Sequence, residues 1–233
     1  MKSVKFGLID GINFNTNSAI ITAFHPINSH EYLAMTRNGL FKFEDESIKK
    51  IYPYKLATSI IIPEYKFIVG VSSLGGEILV LMIDELDSPV FSHFKTDQLN
   101  IFHMMYSHKS HSLITVGSGI KIWNFNVKMP HKVTLINRPE ITIKLRAQIA
   151  PEYDTPILNP PSIDYDQELL CLPNSNGFCG YNFDGKEIKY FSKVEATAQT
   201  AASLCNENKK FLTAQHGDGF HLWSKKGYLV RKI

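Results

Sequence analysis

The chain has 233 residues, 44% of them hydrophobic and 20% charged, with a formal net charge of +3. That length buries a substantial core, as one large all-β domain or two ordinary ones, and that composition excludes disorder over most of the chain. The charge is too small, and the basic pairs Lys49-Lys50, Lys209-Lys210, Lys225-Lys226 and Arg231-Lys232 too scattered, to point to nucleic acid.

The start, Met1-Lys2-Ser3-Val4-Lys5-Phe6-Gly7, carries neither the apolar core of a secretory signal nor an Arg-rich presequence, so no targeting segment is expected. No apolar run approaches the ~18 to 20 residues of a membrane-spanning helix. Three cysteines without a CxxC pair, Cys171, Cys179 and Cys205, and the lack of any Asn-x-Ser/Thr acceptor favour a reducing, cytoplasmic setting. A Cys171–Cys179 bridge across one hairpin is conceivable, but buried thiols acting as small hydrophobes are the favoured reading.

In chain order, the first recognisable unit runs Ile20 to Pro26, Tyr32 to Thr36 and Asn38 to Phe43. The second runs Ser59 to Ile62, Phe67 to Val71 and Gly75 to Val80. The third holds Ser112-Leu113-Ile114-Thr115-Val116-Gly117-Ser118-Gly119-Ile120-Lys121-Ile122-Trp123. Each is a set of short apolar runs joined by Gly-bearing turns, the pattern of β-hairpins packed on both faces.

Between Val127 and Pro161 lie six prolines and about fifteen residues more than one such unit needs. Within that stretch Ile141, Ile143, Leu145, Ala147 and Ile149 alternate with Thr142, Lys144, Arg146 and Gln148, which predicts an outer strand with a basic face and then a Pro-stiffened loop. The fourth unit runs Ser162 to Tyr165, Leu169 to Leu172 and Asn176 to Tyr181, and the fifth holds Lys210-Phe211-Leu212-Thr213-Ala214-Gln215-His216-Gly217-Asp218-Gly219-Phe220-His221-Leu222-Trp223.

In four units a turn glycine precedes a closing aromatic by the same interval: Gly39 and Phe43, Gly119 and Trp123, Gly177 and Tyr181, Gly219 and Trp223. Tight hairpins need φ > 0 at such a glycine, and a large ring fills the wedge between neighbouring sheets. With Val80 closing the second unit, the anchors at 43, 80, 123, 181 and 223 are 37, 43, 58 and 42 residues apart. A period of roughly 40 to 45 with three or four strands per unit is that of a propeller blade.

On the runs Leu113 to Trp123 and Phe211 to Trp223, and on Ala23-Phe24-His25-Pro26 before the second strand of the first unit, the chain resembles the WD40-repeat family. The resemblance implies an all-β, WD40-like β-propeller over residues 1–233 as a single domain, with about five recognisable blades at 1–45, 46–86, 87–128, 129–186 with the Pro-rich insertion, and 187–233. Asn124 and Ser224 follow the two Trp residues where many members carry Asp, and no clear Gly-His opens a unit. The buried Asp/His/Ser/Trp network of strong members is therefore expected to be absent or partial, with stability resting on apolar packing. Seven blades are common in the family, so five imply a short propeller, one with further divergent blades, or part of a larger, incomplete one.

Candidate chemistry is thin. His103, His108 and His111 fit no common zinc spacing, and His216, Asp218 and His221 lack a nucleophile in a recognisable motif. Gly70 to Gly76 and Gly117 to Gly119 lack the Lys-Ser/Thr of a phosphate loop, and Asp84, Glu85 and Asp87 belong to a solvated linker. The densest basic segment is Lys128, His131, Lys132, Arg138, Lys144 and Arg146, a candidate contact for an acidic protein partner.

The expected function is a non-enzymatic scaffold, a protein-interaction subunit of a larger complex, with other proteins as partners and no cofactor, small-molecule substrate, membrane or nucleic acid called for. The Ile, Asn, Lys and Tyr-rich style adds, by analogy alone, a ciliary, axonemal or cytoskeletal setting. The alternatives are an RNA-associated subunit and a propeller-type hydrolase.

Overall fold

The apolar runs and glycine turns form strands, each paired with its neighbour in sequence. The structure, a computed structural model, describes residues 21–36, 39–44, 47–52, 56–72, 76–83, 92–129, 139–150, 161–174, 177–192, 199–205, 210–215, 219–224 and 228–233. These residues form five four-stranded antiparallel sheets in succession along the chain. The first holds β1 (Ile21–Pro26), β2 (Glu31–Thr36), β3 (Gly39–Glu44) and β4 (Ser47–Tyr52). The second holds β5 (Leu56–Ile62), β6 (Phe67–Ser72), β7 (Glu77–Met82) and β8 (Ser92–Lys95).

The third sheet holds β9 (His103–Ser107), β10 (Ser112–Gly117), β11 (Gly119–Lys128) and β12 (Glu140–Ile149). The fourth holds β13 (Ser162–Asp164), β14 (Leu169–Asn174), β15 (Gly177–Asn182) and β16 (Glu187–Ser192). The fifth holds β17 (Gln199–Cys205), β18 (Lys210–Gln215), β19 (Gly219–Ser224) and β20 (Leu229–Lys232). The chain divides into a unit Met1–Leu56, which contains the first sheet, and a unit Ala57–Ile233, which contains the bulk of the second sheet and the other three. No helix among the described residues is long and apolar enough to cross a membrane.

Each of the first four sheets takes its fourth strand from residues that the hairpin spacing gives to the following unit: β4, β8, β12 and β16. The hairpin pattern is read from central strands, whose residues are buried on both faces, whereas a fourth strand lies at a sheet edge with a diluted apolar pattern.

Register aligns the sheets residue by residue. Glu31 pairs with Glu44, Phe67 with Met82, Ser112 with Asn124, Leu169 with Asn182 and Lys210 with Ser224. One residue before each partner stand Phe43, Leu81, Trp123, Tyr181 and Trp223. The second sheet's equivalent of Trp123 is thus Leu81, one position after Val80. The displacement comes from the turn: Gly39, Gly119 and Gly219 open their strands at φ 129°, 98° and 80°, while Gly76, at φ 76°, stands just outside β7.

The third sheet shows where the core sits. Leu113, Trp123 and Phe125 pack with Phe67, Val69, Val71, Ile78 and Val80 of the second sheet. The alternate residues Ile114, Val116, Ile120 and Ile122 pack with Leu170, Leu172 and Phe183 of the fourth. A strand covered on both faces has no polar side, which explains the unbroken apolar runs.

The turns between first and second strands repeat a backbone feature at Lys66, His111 and Glu168, with φ of 54°, 48° and 52°. The carbonyl of each accepts a backbone N–H from two residues after Leu81, Trp123 and Tyr181: Ile83 to Lys66 at 2.8 Å, Phe125 to His111 at 2.8 Å and Phe183 to Glu168 at 3.1 Å. At the opposite end of the third sheet, Phe102 N–H donates to the Val116 carbonyl at 2.8 Å and Ser118 N–H to that of Leu99 at 3.3 Å. These bonds press the Leu99–Phe102 backbone onto the β10–β11 turn, so that a Cβ at Gly117 would run into the Asn100 carbonyl. Gly117→Ala is expected to lower unfolding free energy by about 1–3 kcal/mol, the cost of overpacking, in denaturant titration. A change within about 0.5 kcal/mol would show that this segment does not bear on the turn.

Candidate functional site

Lys128, Lys144 and Arg146 of the basic segment sit on β11 and β12, each of 10 residues and the longest paired strands among the described residues. Lys128 and Lys144 are exposed on it, with Lys128 Nζ 3.4 Å from Glu140 Oε2. His131, Lys132 and Arg138 lie outside the described residues.

The uniform alternation expected along β12 is broken once. Leu145 pairs with Trp123 and Ala147 with Ile122, so Arg146 is an extra residue, a β-bulge. The bulge moves the apolar stripe from one face to the other: Ile141 and Ile143 pack toward the second sheet, Ala147 and Ile149 toward the fourth. Leu145, at the crossing, is 49% exposed. The same step recurs beside the closing aromatic in the fourth sheet, between Gly180 and Tyr181, and in the fifth, between Leu222 and Trp223.

The bulge also aims Arg146, which is half-buried against the fourth sheet rather than part of an open basic face. Its Nε and Nη2 each lie 2.9 Å from Asp184 Oδ1, Nη2 is 3.5 Å from Glu168 Oε2, and Nη1 donates to Ser112 Oγ at 3.2 Å. The two carboxylates belong to the turns of the fourth sheet, so this guanidinium clamps the third and fourth sheets together. Lys109 Nζ adds a bond across the same junction, to the Asp166 carbonyl.

Around Trp123 a polar network survives in altered form. Trp123 Nε1 donates to Thr115 Oγ1 at 3.0 Å, and Thr115 Oγ1 donates to Gln98 Oε1. Gln98, fully buried, donates through Nε2 to the carbonyls of Gly119 at 2.9 Å and Thr115 at 3.3 Å. The network is thus partial, as expected, and centred on an amide rather than a histidine. Beside it Lys121, only 3% exposed, pairs with Asp97, holding that carboxyl below the usual carboxylate range, and its Nζ lies 5.8 Å from the Trp123 ring centre. Sequence reading missed Gln98, Asp97 and Lys121. The available signal was Thr115, a hydroxyl between Ile114 and Val116 in a buried run, where it needs a partner.

The histidines join the second and third sheets. His108 Nδ1 lies 2.9 Å from Glu64, and His111 Nδ1 lies 3.1 Å from the Tyr106 hydroxyl and 3.5 Å from that of Tyr65. Burial raises the Tyr106 phenol pKa well above its usual value. No group of three or more His, Cys, Asp or Glu able to hold a metal occurs among the described residues. The Cys171 thiol is pushed up to about 12, first by burial and then by neighbouring Cys179, so it stays protonated and unreactive at neutral pH. His221 is buried on β19 with its ring edge-on to Trp223 at 5.9 Å, whereas His216, Asp218, Asp84, Glu85 and Asp87 lie outside the described residues.

Three substitutions separate holding from binding. Thr115→Val strands the Trp123 N–H and the Gln98 amide oxygen and is expected to cost about 1–3 kcal/mol in thermal or denaturant unfolding. Arg146→Met should cost roughly 1 kcal/mol by releasing a partly exposed clamp, while Lys144→Ala stays within about 0.5 kcal/mol of the parent. An Arg146→Met variant as stable as the parent would remove the clamp.

No family model matches the chain, and no curated protein matches it in sequence. Among solved structures, the β-propeller domain of Myceliophteria thermophila Cps50 (Swd1) matches with a TM-score of 0.66 at 10% identity, over 88% of this chain and 71% of that one. The WD40 β-propeller domain of Doa1 matches with a TM-score of 0.61 at 11% identity, over 91% of this chain and 68% of that one. At such identity the likeness speaks to fold alone. The sheets are therefore propeller blades, and the chain has the all-β fold of a WD40 β-propeller, with five four-stranded blades among its described residues.

Proposed function

We propose that the chain is a non-enzymatic scaffold, a protein-interaction subunit of a larger complex. The observation that carries this reading is where the polar chemistry goes: Arg146 and the Tyr65–His111–Tyr106 group tie neighbouring blades, while Gln98, Thr115 and Lys121 hold the third blade to the segment that leads into it. What the rigid blades leave outward is contact surface. The β11–β12 hairpin presents Lys128, Lys144 and Met129 to solvent, and His131, Lys132 and Arg138 lie between the two strands in the sequence. Loops and hairpins on a fixed scaffold are where specificity is placed, and this one suits an acidic protein surface.

RNA association draws on the same basic hairpin, and phosphate contacts would make binding fall steeply with salt. An axonemal or cytoskeletal setting rests on sequence style, and localisation of a tagged chain tests it.

Purification of the native assembly, with mass spectrometry of its stoichiometric components, tests the scaffold reading. A stoichiometric protein partner is expected, and the pair Lys128→Glu and Lys144→Glu should weaken it at least tenfold without moving the melting temperature. A chain that purifies alone, or with nucleic acid only, would overturn the proposal.

A further inference from the structure

Past Asn124 the third blade carries a ladder that the others lack. Asn124 is matched in register by Glu44, Met82, Asn182 and Ser224, where β3, β7, β15 and β19 end. Among these strands only β11 continues, with β12 beside it: Phe125 pairs with Ile143, Asn126 with Thr142, Val127 with Ile141 and Lys128 with Glu140. β12 is an edge strand, and no other described strand pairs with its outer side.

One bond fixes which backbone groups that edge presents. Phe125 N–H donates to the His111 carbonyl, on the β10 side, so Phe125 turns its backbone groups away from β12. Phe125–Ile143 is therefore a non-hydrogen-bonded pair of the β11–β12 ladder, and so, two residues along, is Val127–Ile141. It follows that Ile141 and Ile143 point N–H and C=O outward, where a further strand would lie. The bulge at Arg146 ends this straight stretch, so the open edge is the extension itself.

Its sequence, Glu140-Ile141-Thr142-Ile143-Lys144, is its own antiparallel complement. About a two-fold axis at Thr142, Ile141 meets the Ile143 of a second copy and each such pair exchanges both backbone bonds. Thr142 then meets Thr142, and Glu140 meets Lys144 at both ends. These are the non-hydrogen-bonded sites, where side chains approach most closely and where Thr–Thr and opposite-charge pairs are favourable. Glu140 and Lys144 are both exposed, and Glu140 already lies 3.4 Å from Lys128. A lysine on an edge strand ordinarily discourages pairing, but a glutamate at the mirror position makes it a selector. A foreign acidic strand would satisfy Lys144 and set a like charge near Glu140; a second copy satisfies both.

We propose that two copies of this chain join through the outer edges of β12, residues Glu140 to Lys144 running antiparallel about a two-fold axis at Thr142, so that two third blades become one sheet. The interface is small and belongs to the transient class. It goes beyond the scaffold reading, using the strand edge rather than the basic face, and needs no other protein.

Thr142→Cys in the purified full chain tests it. The two thiols would face each other in a non-hydrogen-bonded pair with Cα atoms about 4.5 Å apart, within disulfide reach. Mild oxidation is expected to give a linked dimer at least tenfold above the parent chain, whose Cys171 and Cys179 are buried. Lys144→Cys alone should give no such gain, whereas its mixture with Glu140→Cys should. A yield at the parent's level, or Lys144→Cys linking to itself as well as Thr142→Cys does, would overturn the proposal.

Sedimentation tests the charges without a cross-link. Glu140→Lys and Lys144→Glu should each weaken self-association at least tenfold, the chain carrying both should recover it, and the two single variants should pair with each other. A double exchange that fails to recover association would overturn the proposal. If the purified chain stays monomeric while its native assembly holds a protein partner, the edge pairing fails and the scaffold stands. If the chain dimerises and no other protein accompanies it, the pairing stands and the scaffold fails.

Discussion

Side chains alternate across a strand, and in the third sheet both sets are apolar, so Leu113, Trp123 and Phe125 go to one neighbour while Ile114, Val116, Ile120 and Ile122 go to the other. A sheet made this way has no face that water can wet cheaply. Each buried aliphatic or aromatic side chain is worth about 1.5–3 kcal/mol over its exposed state, and a sheet stripped of one neighbour loses several such contributions at once. Stacking on both neighbours is thus the condition under which the third sheet is stable, and the features around it serve or adjust that stacking.

The bulge beside the closing aromatic is one such adjustment. An extra residue on a fourth strand sharpens local twist and re-aims the side chains that follow. In β12 it hands the apolar stripe from the second-blade side to the fourth-blade side, so a single edge strand seals two interfaces. Polar groups are placed by the same logic. Arg146 reaches carboxylates of the adjoining blade from the bulge, and Gln98 ties the segment before β9 to the β10–β11 turn beneath it.

How much of this was legible in the sequence follows from which constraints leave a residue-type signature. Gly39, Gly119 and Gly219 mark their turns because φ > 0 selects glycine, and Trp123 and Trp223 mark the wedge because few residues fill it. The anchor of the second sheet was placed at Val80 rather than Leu81 because its turn glycine stands one position early, and in an all-apolar strand nothing else fixes the count. The left-handed turn position at Lys66, His111 and Glu168 left no signature, since three unrelated residue types hold it. Gln98, in Thr96-Asp97-Gln98-Leu99-Asn100, reads as a solvated loop because its burial depends on a turn that lies near it only in three dimensions. The candidate binding segment was legible as charge alone. The sequence could not say that Arg146 sits on a bulge, because a bulge adds a residue without altering composition.

That last point bears on how repeats should be compared. Arg146 and Val230 occupy one structural position, yet the first faces two carboxylates of an adjoining blade and the second stands half exposed. An arginine there is held by charge, whereas a valine contributes only the area it buries. Variation at a position fixed by register is therefore variation in what the position faces. In an unaligned sequence the two residues differ by chemistry alone; in register they distinguish a position held by charge from one that contributes only the area it buries.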